Sequence, residues 1–237
     1  MSTKDELVLK TTADGSLTLY VPNLDEHYHS MNGAVQESQH VYITAGLKHF
    51  IRLFNDNSSR EIHILEFGFG TGLNAFLTAL EAEKQKIKIC YTALEKFPLS
   101  QDIANQLNYS ASHQSLFQDI HQSVWGNPVS ITPFFTLHKL AIEFLAFDFP
   151  NSCDVVYFDA FAPDKQPEVW SQELFAKLFS AMNRGGVVTT YCAKGNVRRM
   201  MQQAGFKVER IPGASGKREM LRANALSNIG SDEEKNE

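Results

Sequence analysis

No run of apolar residues in this chain of 237 approaches the roughly 20 that a membrane-spanning helix needs. Its N-terminus, M-S-T-K-D-E-L, also lacks the apolar core of a signal peptide, so a cytoplasmic protein is expected, with no membrane partner. Cysteine is scarce. Cys90, Cys153 and Cys192 show no C-x-x-C spacing and fall in expected interior strands, which argues for reduced core thiols over a disulfide framework or a zinc site. His27 and His29 stand two residues apart without further Cys, His or Asp ligands at suitable spacing, so a polar loop suits them better than a metal, and no metal is expected. Internal repeats are absent, and nothing points to an obligatory protein partner. With 43% hydrophobic and 21% charged residues, the chain suits one large α/β domain or at most two small ones. A net charge of -5 counts mildly against a nucleic-acid partner, although the distribution of charge says more than the total.

What the chain does have is concentrated between Glu61 and Leu80, E-I-H-I-L-E-F-G-F-G-T-G-L-N-A-F-L-T-A-L. A short apolar run over Ile62, Ile64, Leu65 and Phe67 leads into glycines at 68, 70 and 72, after which Leu73, Phe76, Leu77 and Leu80 recur at helical spacing. This predicts a buried strand, a glycine turn and a helix, with backbone N–H groups brought close to a ligand and no Cβ in the way. A dinucleotide fingerprint would need glycine at 73, where the chain has Leu, and this argues against a nicotinamide dehydrogenase. The pattern E-x-G-x-G-x-G resembles the first motif of class I S-adenosylmethionine-dependent methyltransferases; the alternative is an ordinary glycine-rich turn.

Around this centre the other elements follow in order. Residues 7–20 read as a hairpin turned at Asp14-Gly15, residues 27–34 as a loop, and Val35–Phe54 as an amphipathic helix feeding a polar turn at 55–60. Ile87–Leu94 is a second strand ending in Glu95, roughly 20 positions beyond the glycines, where a Rossmann-like fold places the carboxylate that binds ribose hydroxyls. A solvated strand-end acid is the plainer alternative. A helix over Leu99–Leu107 precedes a segment to Pro133 without a clear pattern. Phe134–His138 and Cys153–Asp159 are the next strands, the latter running into A-F-A-P-D-K-Q-P-E-V-W. Helices over Glu168–Met182 and Lys194–Ala204, a strand V-V-T-T-Y-C, and antiparallel strands Phe206–Ile211 and Arg218–Ala223 complete the pattern. The boundaries expected are an N-terminal hairpin and helix at 1–60, a main domain at 61–223 and a disordered acidic tail at 224–237.

The segments E-F-G-F-G-T-G-L-N, D-A-F-A-P-D-K-Q-P-E-V-W, N-V-R-R-M-M-Q-Q-A-G-F and G-K-R-E-M-L, with D-G-S-L-T-L-Y and Y-H-S-M-N-G-A-V-Q-E-S before them, together resemble the methyltransferase domain of the bifunctional tRNA 5-methylaminomethyl-2-thiouridine biosynthesis protein and its stand-alone, MnmD-like counterparts. The resemblance covers nearly all of the chain except the tail. It implies an α/β, Rossmann-like class I methyltransferase sheet with an antiparallel C-terminal strand and an N-terminal hairpin and helix extension. Its implied cofactor is S-adenosylmethionine and its implied partner tRNA at the anticodon loop, with methyl transfer to the exocyclic amine of 5-aminomethyl-2-thiouridine at the wobble position. Glu66, Gly68, Gly70 and Gly72 would shape the cofactor pocket, with Asn74, Ala160 and Phe161, while Glu95 holds the ribose and Asp159 lies beside the reacting amine. Relatives often carry Gly-Asp after the third strand, where this chain has His138-Lys139, so adenine recognition falls to Glu143 or to backbone groups and is left unassigned.

The chemistry fits these parts. In-line displacement from a sulfonium depends chiefly on alignment, and an alkylamine, largely protonated near neutrality, must present a lone pair. Asp159 could orient the amine or act as its base; a structural strand-end Asp is the plainer alternative. Phe161 and Tyr28 are candidates to stack on the uridine, a base already single-stranded in the anticodon loop. From Arg184 to Arg222 the chain carries nine basic residues against Glu209 and Glu219, with Lys194, Arg198, Arg199, Lys217 and Arg218 assigned to tRNA and scattered solvated charge as the alternative. A methyltransferase for a small molecule or protein, and a non-enzymatic module with a retained cofactor pocket, are the other classes open. No second glycine-rich motif is left for a flavin, so a methyltransferase alone is expected.

Overall fold

Asp14 makes the first turn of the chain and ties it to the next helix. Its Oδ1 accepts hydrogen bonds from the Ser16 N–H at 3.0 Å and the Thr12 hydroxyl at 2.8 Å. In the computed structural model, which describes residues 7–53, 60–110, 112–149 and 152–225, this turn joins antiparallel β1 (Val8–Thr11) and β2 (Leu17–Val21), and β3 (Glu26–His27) extends the small sheet. Asp14 Oδ2 accepts from the Gln36 N–H at 3.0 Å in α1 (Ala34–Ser38), so one carboxylate fixes hairpin to helix.

The single helix expected from Val35 to Phe54 is instead three joined pieces: α1, a π-helical stretch Gln39–Leu47, and α2 (Lys48–Leu53). Val41, Tyr42, Ile43, Ala45 and Leu47 are all buried, which a one-sided apolar stripe cannot achieve. The wider turns also bring Gly46 against the main sheet, where a Cβ would lie 3.1 Å from Thr189 Oγ1. Phe54 and positions 55–59 of the expected polar turn lie outside the described residues.

The main sheet begins with β4 (Ile62–Phe67), followed by α3 (Leu73–Gln85) and β5 (Ile89–Glu95). The helix expected over Leu99–Leu107 shortens to α4 (Gln101–Ala104), because Asn108 leaves the helical path to bond the hairpin backbone at Leu17 N (2.8 Å) and Gly15 O (3.0 Å). The segment without a clear pattern holds α5 (Gln114–Gln122) and an edge strand, β6 (Pro128–Thr132), paired antiparallel to β7 (Phe135–Ala141). Then come β8 (Cys153–Phe158), a 3-10 turn at Pro167–Val169, α6 (Gln172–Ala181), β9 (Met182–Thr190), α7 (Gly195–Gln203), β10 (Lys207–Pro212) and β11 (Glu219–Asn224). Ser171, whose Oγ accepts from the Leu174 N–H at 3.1 Å, starts α6 later than the apolar pattern suggests. Cys192 lies just past β9 and not in a strand, and Cys90 is only half-buried. Asn224, expected to open the tail, pairs with Val187 and Lys207 inside the sheet; residues 226–237 lie outside the description.

The strand order is β10-β11-β9-β8-β4-β5-β7-β6, with β9, β8, β4, β5 and β7 parallel and β6, β11 and β10 antiparallel at the edges. One apolar layer packs Phe76, Tyr91, Phe117 and Phe135 on one face; Phe67, Phe158, Trp170 and Phe175 fill the other. The chain leaves β4 toward β5 and returns to its other side at β8, so the crevice of this Rossmann-like sheet opens at the carboxyl ends of β4 and β8. Among the described residues, no helix is long and apolar enough to cross a membrane.

At the opposite edge Asp154 is fully buried and fastens three strands, accepting from the His63 N–H at 2.9 Å and Asn183 Nδ2 at 2.7 Å while pairing with Arg60. Asp154→Ala strips these donors of their acceptor and should lower stability by about 3 kcal/mol, read as a shift of the urea midpoint. A change within experimental error would show that the strands do not depend on this carboxylate.

Candidate active site

Gly68 follows β4 at φ +91°, and a Cβ there would stand 2.7 Å from the backbone oxygen of Asp159, which follows β8. Only glycine lets the two strand ends come this close. At Gly70 a Cβ would meet the ring of Tyr28 at 3.0 Å, so the loop after β3 crosses directly over the turn. Gly72 is the N-cap of α3, which places Asn74 in the first helical turn, pointing back at the strand ends. Asn74 Nδ2 donates to Glu66 Oε1 at 2.9 Å and to Asp159 Oδ2 at 2.8 Å, so one amide bridges two carboxylates.

Glu66 is wholly buried, and burial pushes its carboxyl well above the usual range. The Tyr91 hydroxyl and Asn74 counter part of the effect of burial on Glu66, while Asn74 Oδ1 is a buried acceptor without a hydrogen-bond partner among the described residues. Asn74 Oδ1 suits a cationic donor such as an ammonium group. Glu95, also buried, accepts from the Gly70 N–H at 2.9 Å through Oε2 and from the Phe97 N–H at 2.8 Å through Oε1. Burial raises its pKa against the backbone donors of Phe97, Gly70 and Lys96, which leave the carboxylate one lone pair for a further donor. Beside it Phe97 is 64% exposed, an aromatic face that the sequence pattern did not single out. Glu143 pairs with Lys96 at the surface.

His138 and Lys139 do not follow the third strand as expected but lie inside β7, which pairs with β5 as far as Ala141, so the residues after that strand are Ile142 and Glu143. Lys139 is buried and donates to the carbonyls of Ile120 (2.8 Å) and His121 (2.9 Å) at the C-terminal end of α5. Burial lowers its pKa to about 8. Neutral His121, held near 4 by burial, contacts the Thr71 carbonyl at 3.1 Å through Nε2, so α5 props the glycine turn from beneath. His29, also lowered to about 4 by burial, lies 3.2 Å from Thr18 Oγ1 through Nδ1 and 3.4 Å from Thr71 Oγ1 through Nε2, linking hairpin to turn. Among the described residues no cluster of three or more His, Cys, Asp or Glu is arranged for a metal.

Asp159 is half-buried on the rim of a cleft of about 200 Å³ that Tyr28, Glu37, Phe161, Tyr191 and Lys217 also line. Burial raises its pKa to about 7, and Glu37 adds to this, while the Tyr42 hydroxyl, Asn74 and Lys217 pull it back. The rings of Tyr28 and Phe161 meet edge to face at 5.3 Å. The Ala160 carbonyl accepts from the Tyr191 hydroxyl at 2.9 Å and that of Phe161 from Trp170 Nε1 at 2.7 Å, which fixes the loop after β8. Glu37, Tyr42 and Tyr191 were absent from the sequence-based site; only the folded chain brings them to Asp159.

The basic stretch is far less basic in space. Lys194 pairs with Asp164, Lys217 with Glu37, Arg210 with Glu219 and Arg222 with Glu209. Arg184 lies near the start of β9, at the far edge of the sheet from Asp159. Arg198, Arg199 and Arg218 are at the carboxyl edge without an acidic partner among the described residues.

Residues 134–225 match the model of a family described as S-adenosyl-L-methionine-dependent methyltransferase. The tRNA 5-methylaminomethyl-2-thiouridine biosynthesis bifunctional protein MnmC of Leptospira borgpetersenii serovar Hardjo-bovis (strain JB197) is 30% identical over 219 residues, covering 86% of this chain and 33% of its own length. The chain is similar to the MnmC proteins over about a third of their length. MnmC of Idiomarina loihiensis is 31% identical over 221 residues, covering 86% of this chain and 36% of its own length. The chain therefore spans about a third of the length of these MnmC relatives. In fold it matches the crystal structure of MNMC2 from Aquifex aeolicus with a TM-score of 0.78 at 23% identity, over 98% of this chain and 74% of that one.

The raised pKa of Asp159 has a consequence for stability. Below the unfolded value of 3.8 the group is protonated in both states and costs nothing; as pH rises toward about 7 the unfolded chain ionises more easily, and the folded state loses ground. Asp159→Asn should therefore match the native chain near pH 3.5 and exceed it by about 1 kcal/mol at pH 8, a figure reduced for solvent screening at the rim of the cleft. Urea melts at both pH values would show this, and a variant less stable at pH 8 would contradict the buried-charge account.

Proposed function

We propose that the chain is a tRNA methyltransferase that transfers a methyl group from S-adenosylmethionine to the exocyclic amine of 5-aminomethyl-2-thiouridine at the wobble position. The observation that carries this reading is the Asn74 amide holding Glu66 and Asp159 together, with its own unpartnered Oδ1 buried beside them and the aromatic cleft lined by Asp159.

The donor set suits the cofactor. Asn74 Oδ1 beside Glu66 offers an acceptor to the amino-acid ammonium, Glu95 offers its remaining lone pair to a ribose hydroxyl, and Phe97 offers a face to the adenine; Gly68, Gly70, Gly72, Ala160 and Phe161 shape the walls. When bound, S-adenosylmethionine supplies an electrophilic methyl group on a sulfonium. Tyr28 and Phe161 hold the uracil ring, and Asp159 faces its aminomethyl substituent. A carboxylate with a pKa near 7 is a better acceptor for an ammonium proton than an ordinary Asp, because the gap to the amine's value, about 10.4 for lysine, is smaller. Asp159 thus takes the proton and leaves the nitrogen lone pair free, while the closed turn keeps acceptor and donor in line. Arg198, Arg199 and Arg218 contact tRNA phosphates, with Lys194 at the same edge.

One measurement tests the cofactor site. Glu95→Ala should weaken S-adenosylmethionine binding by about 1.5–3 kcal/mol in isothermal titration while the variant stays folded, since charge-assisted hydrogen bonds to the ribose are lost. Unchanged affinity in a folded variant would remove Glu95 from the site.

The reaction itself is tested by incubating tRNA bearing the aminomethyl or the carboxymethylaminomethyl group with the protein and S-adenosylmethionine, followed by mass spectrometry of the wobble nucleoside. The aminomethyl tRNA should gain one methyl group and the other tRNA none. With Asp159→Asn, turnover should fall by about a hundredfold or more with little change in tRNA affinity, and native kcat/KM should rise with pH through about 7 as Asp159 ionises. Absence of methyl transfer to aminomethyl tRNA would sink the proposal.

A further inference from the structure

We infer that Glu37, Tyr191 and Asp159 form a binding site for a primary alkylammonium group, occupied in the free protein by the ammonium of Lys217 and vacated when the aminomethyl group of the substrate displaces it. The inference rests on the reading above and names what selects the substrate's charge at that site. Glu37 is 7% exposed on α1, and its two oxygens have different tasks. Oε2 accepts from the Ser30 N–H at 2.7 Å, which pins the carboxylate to the wall of the cleft. Oε1 is offered to the cleft and receives Lys217 Nζ at 2.6 Å. The same Nζ stands 4.2 Å above the centre of the Tyr191 ring, within the range of a cation–π contact. Tyr191 is in turn fixed by its hydroxyl on the Ala160 carbonyl, next to Asp159.

A carboxylate, an aromatic face and a second carboxylate on one cleft are the groups that recognise a cation on a methylene. Lysine ends in CH2–NH3+, and so does the protonated aminomethyl substituent. The two therefore compete for the same partners. Lys217 has a long flexible stem and is joined to the loop before β11, so it can leave the cleft while the chain keeps its fold. Its ammonium lies between Glu37 and Tyr191, committed to the cleft and not presented to a phosphate. This revises the role expected for Lys217 from sequence. An internal occupant lowers the apparent affinity for any ligand that must displace it, in proportion to the fraction of time the site stands open.

The test reads binding of the free nucleoside 5-aminomethyluridine, which carries no phosphate, by NMR titration of the native chain, Lys217→Met and Glu37→Gln, with 5-methyluridine as the uncharged control. Lys217→Met should bind the aminomethyl nucleoside about tenfold more tightly, and Glu37→Gln about tenfold or more weakly, with the control unmoved by either change. Equal or weaker binding of the aminomethyl nucleoside by Lys217→Met overturns the inference, whether or not Glu37→Gln folds. With the nucleoside held at the same multiple of its Kd for each protein, ethylammonium chloride should displace it from Lys217→Met at about a tenth of the concentration needed with the native chain. Binding is measured without turnover, so failure of methyl transfer to tRNA would overturn the reaction alone. Unchanged affinities with active native enzyme would overturn the ammonium site alone.

Discussion

The amide of Asn74 lies between two carboxylates that would otherwise repel each other across the carboxyl end of the sheet. Burial makes both acids reluctant to ionise, and the shared Nδ2 donor partly offsets that cost while fixing their positions. The geometry needs the helix to start where it does. Gly72 opens α3 immediately after the turn, and Gly68 lets the end of β4 approach the backbone of Asp159, so Asn74 reaches both strands at once. Displacing any of these parts would separate Glu66 from Asp159.

The rest of the molecule supports this arrangement from two directions. Beneath the turn, Lys139 holds the last carbonyls of α5, and His121 on that helix meets the Thr71 carbonyl. Above it, the N-terminal hairpin and its loop bring Tyr28 over Gly70 and His29 to Thr71, so the small sheet acts as a wall of the site. The π-helical stretch belongs to the same design. It buries residues on several sides and sets Tyr42 beside Asp159, where its hydroxyl opposes the effect of burial on that acid.

Much of this was legible in the chain because it is written in contiguous segments. The apolar run from Ile62, the glycines at 68, 70 and 72, and the helical spacing after them specify strand, turn and helix within one stretch, and strand ends at Glu95 and Asp159 follow from equally local patterns. The segment between Leu107 and Pro133 was not legible, since α5 is short and β6 is an edge strand with a bulge whose pairing depends on β7.

Tertiary structure alone decided the electrostatics. Nine basic residues between Arg184 and Arg222 suggest a cationic surface only while their acidic partners are sought nearby in sequence. Folding brings Glu37 to Lys217 across 180 residues and Asp164 to Lys194 across 30. Local pattern determines which strands and turns form, because backbone preference and burial act over a few neighbouring residues. Which charges meet depends on Coulomb interactions that become strong only when distant segments share a partly desolvated cleft, and no spacing along the chain encodes that distance.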